Sequence, residues 1–114
     1  MCITAGPSMQ GFLSYFPFGL KSYLASVGSF NPIIEEKFYS EFIISKNFKK
    51  ANLILQKYED FWETDLPEGW HICMKAGLKA LNIMDDYERL PMKKVKKSTY
   101  KRIKEKIKKI KKFK

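Results

Sequence analysis

Charge is divided along this chain in a way that limits what each part can become. Residues 1–32 carry one charged side chain, Lys21, and no acid. Residues 33–92 carry 8 basic and 11 acidic residues, and residues 93–114 carry 13 basic residues and one acid. The net charge of +10 and the pI near 9.6 therefore belong to a tail and not to a domain. An inference of nucleic-acid binding from composition alone is weakened accordingly. With 114 residues the chain amounts to one small domain, which excludes several packed ones. Apolar residues at 45% and aromatics at 15% suffice for a core and are too many for a disordered chain.

Cys2 and Cys73 are too few and too far apart for a disulfide scaffold or a zinc site, so a reduced, cytoplasmic chain is expected. His71 is the single histidine, and no metal or cofactor site is expected. The apolar stretch 11–30 has the length of a membrane span, but Lys21 sits at its centre and Pro17 and Gly19 interrupt it. The residues before it lack the positive charge of a signal peptide, so no membrane partner is expected.

Residues 1–5 form a short apolar run ending in Gly6-Pro7, which predicts a buried strand and a loop. Phe12, Leu13 and Phe16 stand at helical spacing within residues 8–16, and Pro17 and Gly19 end that helix. Residues 21–27 are β-rich and predict a second strand, parallel to the first. Asn31-Pro32 then starts a helix: Asn caps, Pro suits the first position, and Glu35 and Glu36 complement the helix dipole.

Ile34, Phe38 and Phe42 share one face of that helix, which Lys46-Asn47 breaks. Phe48, Ala51, Leu55, Tyr58 and Trp62 mark the next, so the two form a helical hairpin. A third helix is expected over 70–84, with Cys73, Ala76, Ala80 and Met84 inward, Asp85-Asp86 as its stop and Trp70 in the core. Ser98 is expected to cap a last helix, whose Ile103, Ile107 and Ile110 form a narrow seam among lysines.

The order is strand, helix, strand and then helices only. Two strands make a marginal sheet, and parallel strands need cover on both faces. Five segments in that order, CITAG, FGLKSYLASVGSFNP, SKNFKKANLILQKYEDFW, WHICMKAGLKALNI and ERLPM, resemble the C-terminal part of the dihydrodipicolinate synthase and N-acetylneuraminate lyase family. That resemblance covers residues 1–95 or so. Ser22 and Ser29 depart from the family's usual glycine and asparagine.

The resemblance implies an α/β fold, a partial (β/α)8 TIM barrel fragment comprising the last two strands and their helices, followed by a C-terminal helical region. It makes 1–46 two βα units and 47–92 a helical region, and the residues themselves set 93–114 apart as a Lys-rich amphipathic tail helix. It also implies a lyase or class I aldolase that forms a Schiff base with pyruvate or a related 2-keto acid, without a cofactor. The family's nucleophilic lysine and relay tyrosine lie on its sixth and fifth strands, which precede anything here, so the segment is expected to be inactive alone. A 2-keto acid would bind only with the missing part, and the parent family implies a homo-oligomer.

Two positions carry over as substrate-binding: Gly6, where backbone approaches the keto acid, and Leu24, against the pyruvate methyl. Read from the residues alone, Gly6 is equally a turn glycine and Leu24 a packing residue. Lys21, Lys75 and Lys79 match no nucleophile position, and a lysine in water stays protonated, with a pKa of about 10.4.

The tail has three readings: a solvated helix docked by its isoleucine seam, a binder of nucleic-acid phosphates, or an interfacial membrane helix. The alternative to the lyase segment is thus a small basic module whose tail binds nucleic acid.

Overall fold

A computed structural model describes residues 4–5, 8–24, 27–58 and 68–114. They fall into two compact units, residues 1–61 with 114, and residues 62–113. Cys2, Gly6, Pro7 and Trp62, all named above, lie outside the described residues.

The first unit begins with β1 (Thr4–Ala5), α1 (Met9–Tyr15), a 3₁₀ turn (Phe16–Phe18) and β2 (Ser22–Tyr23). Ser8 starts α1 because its hydroxyl accepts the Gly11 N–H at 2.7 Å. Gly19 closes the following turn at φ +90°, a conformation open to glycine. β1 and β2 are parallel, with Thr4 opposite Ser22 and Ala5 opposite Tyr23.

A second 3₁₀ turn (Val27–Ser29) leads into α2 (Pro32–Tyr39). The Asn31 carboxamide accepts the Ile33 N–H at 3.2 Å, with Pro32 in the first turn. α2 widens into a π-helical turn (Ser40–Ile44), and Lys46 reverses the chain at φ +53°. The Asn47 side chain accepts the Lys50 N–H at 3.2 Å and opens α3 (Phe48–Tyr58).

The α/β expectation fails here. The chain is mostly helical, and strand pairing among the described residues is two residues long on each side. Such a pair is no part of a TIM barrel, whose strands form a continuous closed sheet. The expected strand over 21–27 is seen only at Ser22–Tyr23 among the described residues, and Val27 instead opens a 3₁₀ turn. Phe30 and Asn31 N–H bond back to the Val27 carbonyl at 2.9 and 3.2 Å, and Glu35 Oε1 accepts the Gly28 N–H at 2.9 Å. Backbone groups satisfied in a tight turn have no call for a ladder.

The core of this unit is aromatic. Phe12 is fully buried, with the rings of Tyr23, Phe16, Phe42, Tyr39 and Phe38 at 5.0 to 6.3 Å from it. Met9, Leu20, Val27, Ile34, Ala51, Leu55 and Tyr58 are buried as well. Phe42, on the expected inner face, is half-buried.

The second unit is built on α4 (Trp70–Ala80) and α5 (Lys97–Lys111), which pack on each other. Ile72, Cys73, Ala76 and Gly77 are buried on α4, and Thr99, Ile103, Ile107 and Ile110 on α5. The expected helix to Met84 ends four residues early. Asn82 stops it by taking φ +60°, which lets the Asn82 and Ile83 N–H groups close on the Lys79 and Leu78 carbonyls at 2.9 and 3.0 Å. Asp85-Asp86 is therefore not the stop. Ala80 is half-buried, and Met84 and Trp70 are exposed, Trp70 to 56%. Ser98 is not the cap either: it lies inside α5, and Lys96 holds the cap position without a side-chain bond.

Among the described residues no helix is long and apolar enough to cross a membrane.

Candidate functional site

The resemblance places its substrate contacts where β1 and β2 end. Leu24 follows β2 directly and is 63% exposed, an apolar side chain left in water. Gly6, the other expected contact, lies outside the described residues.

The three lysines of interest are scattered. Lys75 on α4 bonds Glu88 at 3.0 Å and the Tyr87 carbonyl at 3.1 Å. Lys79 meets Asp86 at 2.5 Å and Asp85 at 3.1 Å. Its hydrogen bonds to Asp86 and then to Asp85 raise its pKa above the ordinary lysine value, while the Lys79 hydrogen bond lowers Asp85 to about 2. An ammonium held protonated has no lone pair for a carbonyl carbon, so Lys79 is a poor imine former.

Lys21 lines a cleft of about 370 Å³ with Phe16, Leu20, Tyr39, Phe42, Ile43, Lys46 and Phe48. The Tyr39 hydroxyl donates to the Lys21 carbonyl at 3.3 Å and fixes one wall. The Phe42 ring meets those of Phe16 and Phe48 edge-on at 5.0 and 5.2 Å. The cleft is apolar with two cationic side chains at it, and sequence periodicity did not find it. Lys46 enters only because the chain turns left-handed there.

The second candidate is the solvent side of α5. With the buried stripe fixed, residues 97, 101, 104, 108 and 111 recur at steps of four and three and form one row beside it. All five are lysines, and all are exposed. Glu105 is the one acid of the helix; the Lys108 hydrogen bond at 2.8 Å, with that lysine's charge, lowers its pKa. A single counter-charge leaves the row strongly cationic.

Cys73, on α4, is buried as a free thiol. Desolvation, and then the charge of Glu68, push its pKa up, so it is kept as an unreactive thiol. Among the described residues no group of three or more His, Cys, Asp or Glu could hold a metal ion. Comparison with protein-family models, with curated proteins and with solved structures gives no match.

Proposed function

We propose that this chain is the C-terminal segment of a lyase that handles pyruvate or a related 2-keto acid through a Schiff base, similar to dihydrodipicolinate synthase and N-acetylneuraminate lyase. The observation that supports this most is Leu24. Parallel strands end on a common edge, and in parallel sheets ligands bind at the carboxyl ends of the strands. Leu24 stands just past that end on β2 with most of its surface in water. It has apolar area to lose to a substrate methyl, at roughly 25 cal/mol per Å².

The five ordered segments support the same reading, and it asks for no barrel within this chain. The nucleophilic amine belongs to another part of the enzyme. Lys75 and Lys79 are engaged by carboxylates, and Lys21, though it borders the apolar cleft, is itself exposed to water and not desolvated. The chain alone is therefore inactive. A reduced cytoplasmic setting, consistent with a free Cys73 thiol, and the homo-oligomer of the parent family belong to this proposal.

Complementation tests it. The chain is mixed with the N-terminal portion of a family lyase that carries the Schiff-base lysine and relay tyrosine, then treated with pyruvate and borohydride. Reductive trapping on that lysine, seen with both pieces and with neither alone, is the expected result, and Leu24→Asp should lower it. Trapping on Lys21, Lys75 or Lys79 in the chain alone overturns the reading. So does a mixture that traps nothing.

A further inference from the structure

We propose that the lysine row of α5, Lys97, Lys101, Lys104, Lys108 and Lys111, is a binding site for the phosphate backbone of nucleic acid, independent of any lyase role. The argument begins with what fixes the helix. Ile103, Ile107 and Ile110 are turned inward and Thr99 is held by Glu68, so α5 is docked along its length and its outer side is set. A docked helix presents its cations as a row and not as a loose cluster, at about 1.5 Å of rise per residue. From Lys97 to Lys111 the row runs for about 21 Å, a length over which duplex DNA carries about 12 phosphate charges at one per 1.7 Å.

Lys97, Lys101, Lys104 and Lys111 make no ion pair among the described residues; Glu105, the one acid of the helix, pairs with Lys108 and is also felt by Lys101 and Lys104 through charge. Arg102 and Lys109 add exposed cations on the far flank of the same helix. The approach to α5 contributes Lys93, Lys94 and Lys96, all exposed.

The same placement argues against a lipid surface. An interfacial helix binds by sinking its apolar face into the headgroup boundary. Here that face is the isoleucine seam, and it is already buried in the protein. What remains outside is cationic and polar, which suits phosphodiesters approached by charge alone. Such contacts position without reading bases, so binding is expected to be independent of sequence.

The test is fluorescence anisotropy with a labelled 20-base-pair duplex, titrated with the whole chain from 50 to 200 mM salt. Four to five released counterions predict a loss of affinity on the order of 10²-fold across that range. The paired change Lys101→Glu/Lys104→Glu should weaken binding at least tenfold. The control Lys49→Glu/Lys57→Glu, which alters net charge equally on exposed positions of α3, should weaken it by less than threefold. All four positions are exposed, and circular dichroism confirms that both variants fold. Equal losses in the two variants would mean a general charge effect and overturn the site. Absence of binding at 50 mM salt overturns it too. So does tighter capture by vesicles of phosphatidylcholine and phosphatidylserine than by the duplex.

Discussion

Thr99 and Glu68 stand 31 residues apart in the sequence, yet the Thr99 hydroxyl donates to Glu68 Oε1 at 2.9 Å. The same oxygen accepts the Lys96 N–H at 3.3 Å, so a carboxylate from before α4 caps the entrance to α5. Desolvation raises the Glu68 pKa, but the hydrogen bonds from Thr99 and Lys96 and the Lys96 charge outweigh it and leave the group below its ordinary 4.5.

A depressed carboxyl pKa gives stability that is fully present above the unfolded value and is lost as pH falls through the folded one. Urea midpoints measured from pH 7 to pH 3 should therefore fall on acidification, and fall less in Glu68→Gln. Thr99→Val should cost about 1 kcal/mol at pH 7, the usual net worth of such a bond. Parallel pH profiles for Glu68→Gln and the parent would show that Glu68 is not the linked group.

Phe12 is the hub of the first unit, with five aromatic rings within 6.3 Å. Phe12→Ala should cost about 3–5 kcal/mol, because a buried ring leaves a cavity as well as lost transfer energy. Phe18, 79% exposed six residues on, should tolerate alanine within about 0.5 kcal/mol. Thermal unfolding of the two variants checks the contrast, and similar losses would remove Phe12 from its central place.

Local chemistry was legible in the sequence and distant chemistry was not. Asn31 acts on an N–H group two residues away, so its cap can be read from adjacent letters. Ile34, Phe38, Leu55 and Tyr58 are buried because helical spacing brings them to one side, whatever lies opposite. The 3₁₀ turn at Val27–Ser29 depends instead on a distant partner, and the bond from Gly28 to Glu35 has no signature in the 21–27 run.

Trp70 shows the same limit. Its size argues for the core, but it is the first residue of α4 and lies largely in water. For the candidate sites, the lysine excess was plain, whereas the row it forms emerges only once the isoleucine seam is seen buried. The cleft at Lys21 and Lys46 joins residues from four elements, and no single stretch announces it.

Lys46 holds φ +53°, where a side chain crowds its own carbonyl. Lys46→Gly removes that cost of about 1 kcal/mol, offset in part by the greater freedom of glycine in the unfolded chain. A net gain of about 0.5 kcal/mol is expected, and Lys46→Val should lose more than 1 kcal/mol, since β-branched residues resist this region. Chemical denaturation of the pair decides it; a valine variant as stable as the glycine one contradicts the left-handed turn.

Ile107 tests whether α5 owes its order to packing. The helix has 15 residues, eight of them basic, so by itself it is of marginal length and burdened by like-charge repulsion. Its buried seam of Ile103, Ile107 and Ile110 has to offset both. Ile107→Ala should cost about 2–5 kcal/mol in that seam. The loss should be local: amide exchange over residues 97–111 should speed up severely, with α2 and α3 of the other unit keeping their protection. Raising the salt to 1 M shortens the screening length to about 3 Å and should return part of the protection, because it weakens lysine–lysine repulsion without mending the cavity. Unchanged protection in the variant would mean that the seam does not hold α5, and a loss indifferent to salt would mean that repulsion was never the opposing force.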